Sequence, residues 1–257
     1  MTIRIFIGFL LSLAIVTVTC ANAAELAETI AKIRGGIVAI GTYQATRRPP
    51  NEFHGTGFAV GDGKHIITNA HVLPVTLKTD QKEILAVFVG NELNAEARSA
   101  MIIDTDIEHD LALLEIDGKP LPPLRIGDSQ RVREGEAIAF TGFPIGMVLG
   151  LYPVTHQGIV SAITPIAIPA VSSRQLDAAT IKRLREPYKV LQLDATAYPG
   201  NSGSPVYEPS TGRVIGVINK VFVKESKENL LTQPSGITYA IPSRYIGELL
   251  NRKGLGG

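Results

Sequence analysis

The sequence predicts an all-β protein made of two antiparallel β-barrels joined by a short linker. Short β-branched or alternating segments recur along most of the chain, and Pro, Gly and Asn residues separate them. A proline-rich stretch at residues 118–123 lies near the middle and is unsuited to a central strand. We therefore expect a linker there, with residues 24–119 forming the first half and residues 120–257 the second.

Each half has its own set of predicted strands. Those of the first half are Ile37–Tyr43, Gly57–Val60, His65–Thr68, Ile84–Val89 and Leu111–Ile116. Those of the second half are Ala137–Thr141, Thr155–Ile163, Val190–Leu193, Val206–Tyr207, Val214–Val221 and Ile237–Ile241.

Helical spacing of apolar residues occurs in a few short segments. Residues 25–34 predict a short N-terminal helix, and residues 173–186 a polar, helix-like insertion. Residues 242–251 predict a closing helix with Ser243 as its N-cap. Its inward-facing residues would be Ile246, Leu249 and Leu250.

The N-terminus is typical of a secretory signal peptide spanning residues 1–23. Arg4 precedes an apolar run that is too short for a confident membrane span, and Ala21-Asn22-Ala23 supplies a small-x-small cleavage site. A lipoprotein site at Cys20 is the alternative, but the residues before it do not fit. Cleavage after Ala23 would remove the only cysteine, which suits a bacterial periplasm, or secretion from a bacterium, better than an animal secretory fluid.

Charge and composition narrow the range of partners. The chain has 25 Lys and Arg against 24 Asp and Glu, and loss of Arg4 with the signal peptide would leave a net charge near zero. A nucleic-acid or anionic-membrane partner is therefore not expected. No cofactor and no metal site are expected either.

A glycine-rich turn at Gly200–Pro205 is the first chemical signal. It can hold the Ser202 hydroxyl clear of the backbone and aim the N–H groups of Gly200 and Ser202 at one point, as acyl transfer requires. Taken alone, the hexapeptide could also be an ordinary Gly/Ser loop.

Two further residues stand at strand ends in the first half. His71 follows Thr68-Asn69-Ala70 just past an apolar strand, where a general base could project into a cleft. Asp110 opens the apolar segment Leu111–Ile116 and could orient that histidine. The competing acids are Asp104, Asp106 and Asp117, while His65 and His109 are expected to be structural or solvent-facing rather than catalytic.

These contexts, in the order His, Asp, Ser, resemble the trypsin-like serine proteases and, more closely, their Deg/HtrA branch. The matching stretches, over about residues 36–247, are Gly55-Thr56-Gly57-Phe58, Thr68-Asn69-Ala70-His71-Val72, Asp110-Leu111-Ala112-Leu113-Leu114, Gly142-Phe143-Pro144-Ile145-Gly146, Gly158-Ile159-Val160-Ser161, Asp194 with Gly200-Asn201-Ser202-Gly203, and Tyr239-Ala240-Ile241-Pro242-Ser243.

The resemblance implies a chymotrypsin-like fold of two six-stranded barrels with the site in the cleft between them. It implies a triad of His71, Asp110 and Ser202, with the N–H groups of Gly200 and Ser202 as the oxyanion hole. It further implies polypeptide substrates, especially unfolded or damaged proteins, and a trimeric assembly. The PDZ modules of larger members are not expected here. The alternative is a proteolytically silent, chaperone-like or binding protein of the same fold.

Two residues depart from the family pattern. Ser204 stands where a second glycine is usual. Asn201 replaces the aspartate that pairs with a freed N-terminus in trypsin-type digestive enzymes. Because no carboxylate is present to make that pair, activation by propeptide cleavage of the trypsin kind is not expected.

We predict a preference for a small or medium aliphatic residue before the cleaved bond. In this fold the pocket floor precedes the nucleophile by six residues, which places neutral Thr196 there, and Val217, Ile218 and Asn219 would form the wall. Cleavage of a peptide library measures this preference, and selection of Arg or Phe at that position would contradict it.

Overall fold

The computed structural model describes residues 25–90, 95–144, 150–165, 188–219 and 237–256. The first barrel contains β1 (Ile37–Tyr43), β2 (Asn51–Val60), β3 (His65–Thr68), β4 (Ile84–Val89), β5 (Glu96–Asp106) and β6 (Leu111–Ile116). The second contains β7 (Ala137–Gly142), β8 (Val154–Pro165), β9 (Lys189–Asp194), β10 (Pro205–Tyr207), β11 (Val214–Asn219) and β12 (Ile237–Pro242). Residues 25–33 form a helix, α1, and Arg34–Gly36 a single 3₁₀ turn. The closing helix is α2 (Arg244–Arg252).

The two predicted barrels are confirmed. The strand order around the first is β1-β2-β3-β6-β5-β4, and around the second β10-β11-β12-β9-β8-β7, with both sheets closed. Neighbouring strands pair antiparallel, as between β1 and β2 or between β8 and β9. The connection between β6 and β7 contains the predicted linker, and it is tied to the first barrel where Leu124 N–H donates to the Ala59 carbonyl.

Burial on both faces explains the continuous apolar runs. In β1, Val38 and Ile40 face the interior of the first barrel, whereas Ile37 and Ala39 join a second core that also contains residues of the second barrel and of α2. Successive side chains of a strand point to opposite faces, so both faces of β1 must be apolar when both are covered.

Strand β5 is one that the sequence pattern did not predict. It is eleven residues long, but few of its side chains are buried, and Met101 and Ile102 are exposed. A β-bulge between Ile102 and Asp104 also shifts its register against β6. Apolar residues therefore do not alternate along it.

The predictions for α2 are confirmed in part. Ile246, Leu249 and Leu250 are buried as expected. Ser243 is the N-cap residue, but its side chain does not cap the helix; its hydroxyl donates to the Gly127 carbonyl oxygen at 2.8 Å. The predicted signal peptide and the 173–186 insertion lie outside the described residues. Within the described residues, none of the helices combines the length and the apolar composition needed to cross a membrane.

A buried carboxylate links two loops of the first barrel. Glu83 is 7% exposed and accepts hydrogen bonds from the Thr42 hydroxyl at 2.9 Å, Arg47 at 2.7 Å and the Lys78 N–H at 3.0 Å. Burial opposes ionisation, but the hydrogen bonds, led by that of the Lys78 N–H, hold the pKa of Glu83 below its ordinary value of 4.5.

We predict that Glu83 contributes to acid sensitivity. Because its pKa is lower in the folded state, its contribution to stability is complete above pH 4.5 and is lost as the pH falls through the folded-state pKa. Melting temperatures measured between pH 7 and pH 3 should fall less steeply on acidification for Glu83→Gln than for the wild type. Asp117→Asn, at an exposed carboxylate of the same barrel, is the control and should leave the slope unchanged; equal slopes for Glu83→Gln and the wild type would contradict the assignment.

Candidate active site

His71 and Asp110 are brought together at one end of the first barrel. His71 lies in a 3₁₀ turn, Ala70–Val72, directly after β3, and Asp110 directly precedes β6. His71 Nδ1 lies 2.6 Å from Asp110 Oδ2, and the His71 backbone N–H donates to Asp110 Oδ1 at 2.9 Å. Since a carboxylate only accepts, Nδ1 carries the proton, and in the neutral imidazole Nε2 keeps a lone pair. The His71 side chain is 33% exposed.

The backbone of Asp110 is in the left-handed region. Its φ is 53°, which typically costs about 1–2 kcal/mol for a residue with a Cβ. Its carbonyl oxygen accepts two hydrogen bonds that hold this conformation, from Ala70 N–H at 3.2 Å and from Asn69 Nδ2 at 3.0 Å. The competing acids have other partners: Asp106 binds His109, and Asp104 lies beside Arg252.

Asn219 is a site residue whose contact we did not predict. It ends β11 in the second barrel, and its Nδ2 donates to Asp110 Oδ2 at 2.8 Å, the oxygen that also faces His71. The second barrel thereby fixes the orientation of a carboxylate that belongs to the first. A polar residue at the end of an otherwise apolar strand is the signal that could have indicated it.

Ser202 lies in a pair of tight turns. Asn201 N–H donates to the Tyr198 carbonyl, and Ser204 N–H to the Asn201 carbonyl, both at 3.0 Å. The third residue of each turn is a glycine with positive φ, 98° at Gly200 and 86° at Gly203, as type II turns require. Type I and type II turns differ by a flip of the central peptide, so the φ of Gly200 determines which way its N–H points. Among the described residues, neither the Gly200 nor the Ser202 N–H has a hydrogen-bond partner.

Thr56 of β2 attaches these turns to the first barrel. Its N–H donates to the Ser202 carbonyl at 2.8 Å, and its hydroxyl donates to the Gly200 carbonyl at 2.7 Å. The same hydroxyl accepts the Phe143 N–H at 3.0 Å, and the Thr56 carbonyl accepts the Thr68 hydroxyl at 2.7 Å. Thr68 is three residues before His71, so Thr56 sets the serine turn against the segment that carries the histidine.

Burial of the turn leaves some polar atoms without partners. Asn201 and Ser204 are fully buried, and within the described part of the chain no hydrogen bond reaches the amide of Asn201 or the hydroxyl of Ser204. These are the two positions that depart from the family pattern.

The structure describes all four residues of the predicted substrate pocket. Val217 and Ile218 are fully buried in the hydrophobic cores, so their contribution to a pocket would come from their backbone. Thr196 is half-buried in the segment between β9 and the serine turn. Their assignment to a substrate pocket, together with that of Asn219, stays a prediction.

We predict that Gly203 cannot be replaced by alanine without a large loss of stability. A Cβ there would lie 2.0 Å from the Thr56 carbonyl oxygen. Left-handed strain and overpacking together should cost about 2–5 kcal/mol in urea denaturation. Gly135→Ala is the matched control, because Gly135 has the same φ of 86° but no heavy atom within 4 Å of a Cβ. It should cost about 1–2 kcal/mol; equal losses for the two variants would show that the contact with Thr56 does not constrain Gly203.

Comparison with known proteins identifies a peptidase domain in this chain. The family model of the trypsin-like peptidase domain matches residues 55–217. A probable periplasmic serine endoprotease, DegP-like, from Pseudomonas fluorescens is 33% identical over 205 residues, covering 79% of this chain and 35% of that protein. Serine protease Do-like HtrB from Bacillus subtilis is 31% identical over 254 residues, covering 92% of this chain and 48% of that protein. The chain thus spans about a third to a half of the length of these relatives.

A solved structure described as an HtrA-type protease AlgW with tripeptide superimposes with a TM-score of 0.62 at 23% identity, covering 88% of this chain and 62% of that one. At this identity the likeness concerns the fold. The resemblance inferred from the sequence motifs is confirmed, and the chain belongs to the family of trypsin-like peptidase domains.

Proposed function

We propose that this chain is a serine endopeptidase of the bacterial cell envelope that hydrolyses peptide bonds in unfolded or damaged proteins. The observation that carries the proposal is the pair of His71 and Asp110, whose Nδ1 and Oδ2 lie 2.6 Å apart, and Thr56 of the same barrel donates to the Ser202 carbonyl of the serine turn. The relatives named as periplasmic serine endoproteases support both the reaction and the location.

His71 acts as the general base in this mechanism. Because its Nδ1–H is directed to Asp110, Nε2 takes the proton of the Ser202 hydroxyl while Oγ attacks the scissile carbonyl carbon. Asp110 stabilises the imidazolium that forms. The proton then passes to the leaving amine as the C–N bond breaks, and water repeats the sequence to release the acyl group.

The N–H groups of Gly200 and Ser202 hold the developing oxyanion. Both lack internal partners among the described residues, so they can bind this oxygen without first breaking another hydrogen bond. Loss of one such donor typically lowers the rate about a hundredfold or more. The type II turn at Gly200 keeps its N–H available.

Asn219 holds Asp110 in this arrangement. Its amide donates to the carboxylate oxygen that faces His71, so the carboxylate cannot rotate freely away from the imidazole. The same proposal places Thr196 at the base of the substrate pocket. It also includes export to the cell envelope with signal-peptide cleavage near Ala23, and assembly into a trimer.

The decisive test is labelling with a fluorophosphonate probe, which reacts with an activated serine. The wild type should label, whereas Ser202→Ala should not, and peptide turnover should fall roughly a million-fold, as for other triads. Ser204→Ala is the matched control because that hydroxyl is buried two residues away without a partner in the described chain, and it should label like the wild type.

Absence of labelling in the wild type, with or without an unfolded substrate, would overturn the peptidase proposal. It would favour a binding protein of the same fold.

A further inference from the structure

The turn that delivers Asp110 is closed by a second histidine–aspartate pair. Asp106 ends β5, and its Oδ1 accepts the His109 backbone N–H at 3.1 Å. Its Oδ2 lies 2.9 Å from His109 Nδ1. The residue after His109 is Asp110, whose backbone is in the left-handed region. The backbone of His109 is thus fixed on the side of the turn that leads directly into Asp110.

The His109 ring is also held by the second barrel and the C-terminal helix. It stacks on Tyr245 of α2, with ring centroids 3.7 Å apart and planes inclined by 20°. It meets the edge of Tyr188, which directly precedes β9, at 4.7 Å. Both tyrosines are buried, so His109 cannot turn without displacing packed rings.

Charges of α2 complete the attachment. Arg252 Nη1 lies 3.6 Å from Asp106 Oδ2 and Arg252 Nε 3.4 Å from Asp104 Oδ2. Burial raises the pKa of Asp106, but the hydrogen bonds from His109 and the charges of His109 and Arg252 outweigh this, and the pKa of the carboxyl lies below its ordinary value. Asp106 is therefore a stable anionic acceptor at neutral pH.

Another histidine–aspartate pair of the first barrel, His65 with Asp62, has similar local geometry but lacks, in the described part of the chain, the contacts with aromatic rings and with α2. His65 Nδ1 lies 2.8 Å from Asp62 Oδ1, also three residues earlier in the chain. Asp62 is more than half exposed, and within the described residues no aromatic ring stacks on His65. His65 also lies on β3, six residues before His71.

We propose that His109 is a positioning residue for Asp110: clamped between Asp106 and Tyr245, it fixes the turn that presents the Asp110 carboxylate to His71. The C-terminal helix contributes through Arg252, which lies beside the same Asp106 carboxylate. The proposal rests on the proposed function for its kinetic consequences, but its geometric content concerns only the His71–Asp110 hydrogen bond.

The test uses the full chain and two readouts. The first is the downfield proton resonance of the His71 Nδ1–H, assigned by its loss in His71→Ala, which reports the bond to Asp110 whether or not the protein is active. The second is the kinetics of peptide cleavage. For His109→Ala we expect the resonance to shift or broaden and kcat to fall roughly tenfold to a hundredfold, with KM within about twofold, because a small misplacement of a catalytic group is costly.

Variants at His109 separate positioning from simple support. In His109→Asn the amide nitrogen can take the place of Nδ1 as donor to Asp106, so the resonance should return and kcat recover to within about threefold of the wild type. His109→Phe keeps a ring against Tyr245 but removes the ring N–H that donates to Asp106 Oδ2, and should behave like His109→Ala. His65→Ala is the matched control and should change neither readout.

The proposal is overturned if His109→Ala lowers the melting temperature but keeps the wild-type resonance and kcat, or if His65→Ala has the same effects. If His109→Ala does not fold, a wild-type resonance and kcat in His109→Phe would overturn it instead. An altered resonance in a protein that never cleaves peptides would leave the positioning role intact and refute only the proposed function.

Discussion

The hydrogen bonds of Thr56 hold the two halves of the site in register. This fully buried residue of β2 uses its N–H, its hydroxyl and its carbonyl in four hydrogen bonds, to the serine turn, to the end of β7 and to β3. A buried polar group without a partner costs about 1–3 kcal/mol, so loss of the hydroxyl alone would affect both the Gly200 carbonyl and the Phe143 N–H. Ser202 belongs to the second barrel in sequence, and its turn is bonded to both barrels, to Thr56 of the first and to Ile218 of the second.

Much of the fold could be predicted because buried strands are rich in apolar residues. Strands such as β1, which separate the barrel interior from the interface between the barrels, need apolar residues on both faces and read as continuous apolar runs. Strand β5 has few buried side chains and a bulge, so it has no such apolar run. The closing helix could be predicted from the spacing of its buried residues. Its side-chain cap could not, because the Ser243 hydroxyl bonds instead to Gly127, 116 positions earlier in the chain.

The site could be predicted where its chemistry depends on short local contexts. The His71, Asp110 and Ser202 segments each carry a recognisable pattern of strand end or glycine turn. The contacts of Asn219 and His109 are not local: Asn219 reaches an acid 109 positions earlier in the chain, and His109 stacks on a ring of α2. His65 and His109 have the same kind of aspartate neighbour three residues earlier, so nothing in their local context separates them.

Each terminal helix contacts the barrel that is more distant from it in the sequence. Helix α1 precedes the first barrel, yet Thr29 donates to the Ser210 carbonyl of the second, and Ile33 lies against Gly212. Helix α2 follows the second barrel, yet its Arg252 and Tyr245 contact the β5–β6 turn of the first. Each barrel is therefore covered in part by chain that belongs, in sequence, to the other. The barrels are consequently poor candidates for independent folding units, and a cut in the linker should give two fragments that associate rather than two stable domains.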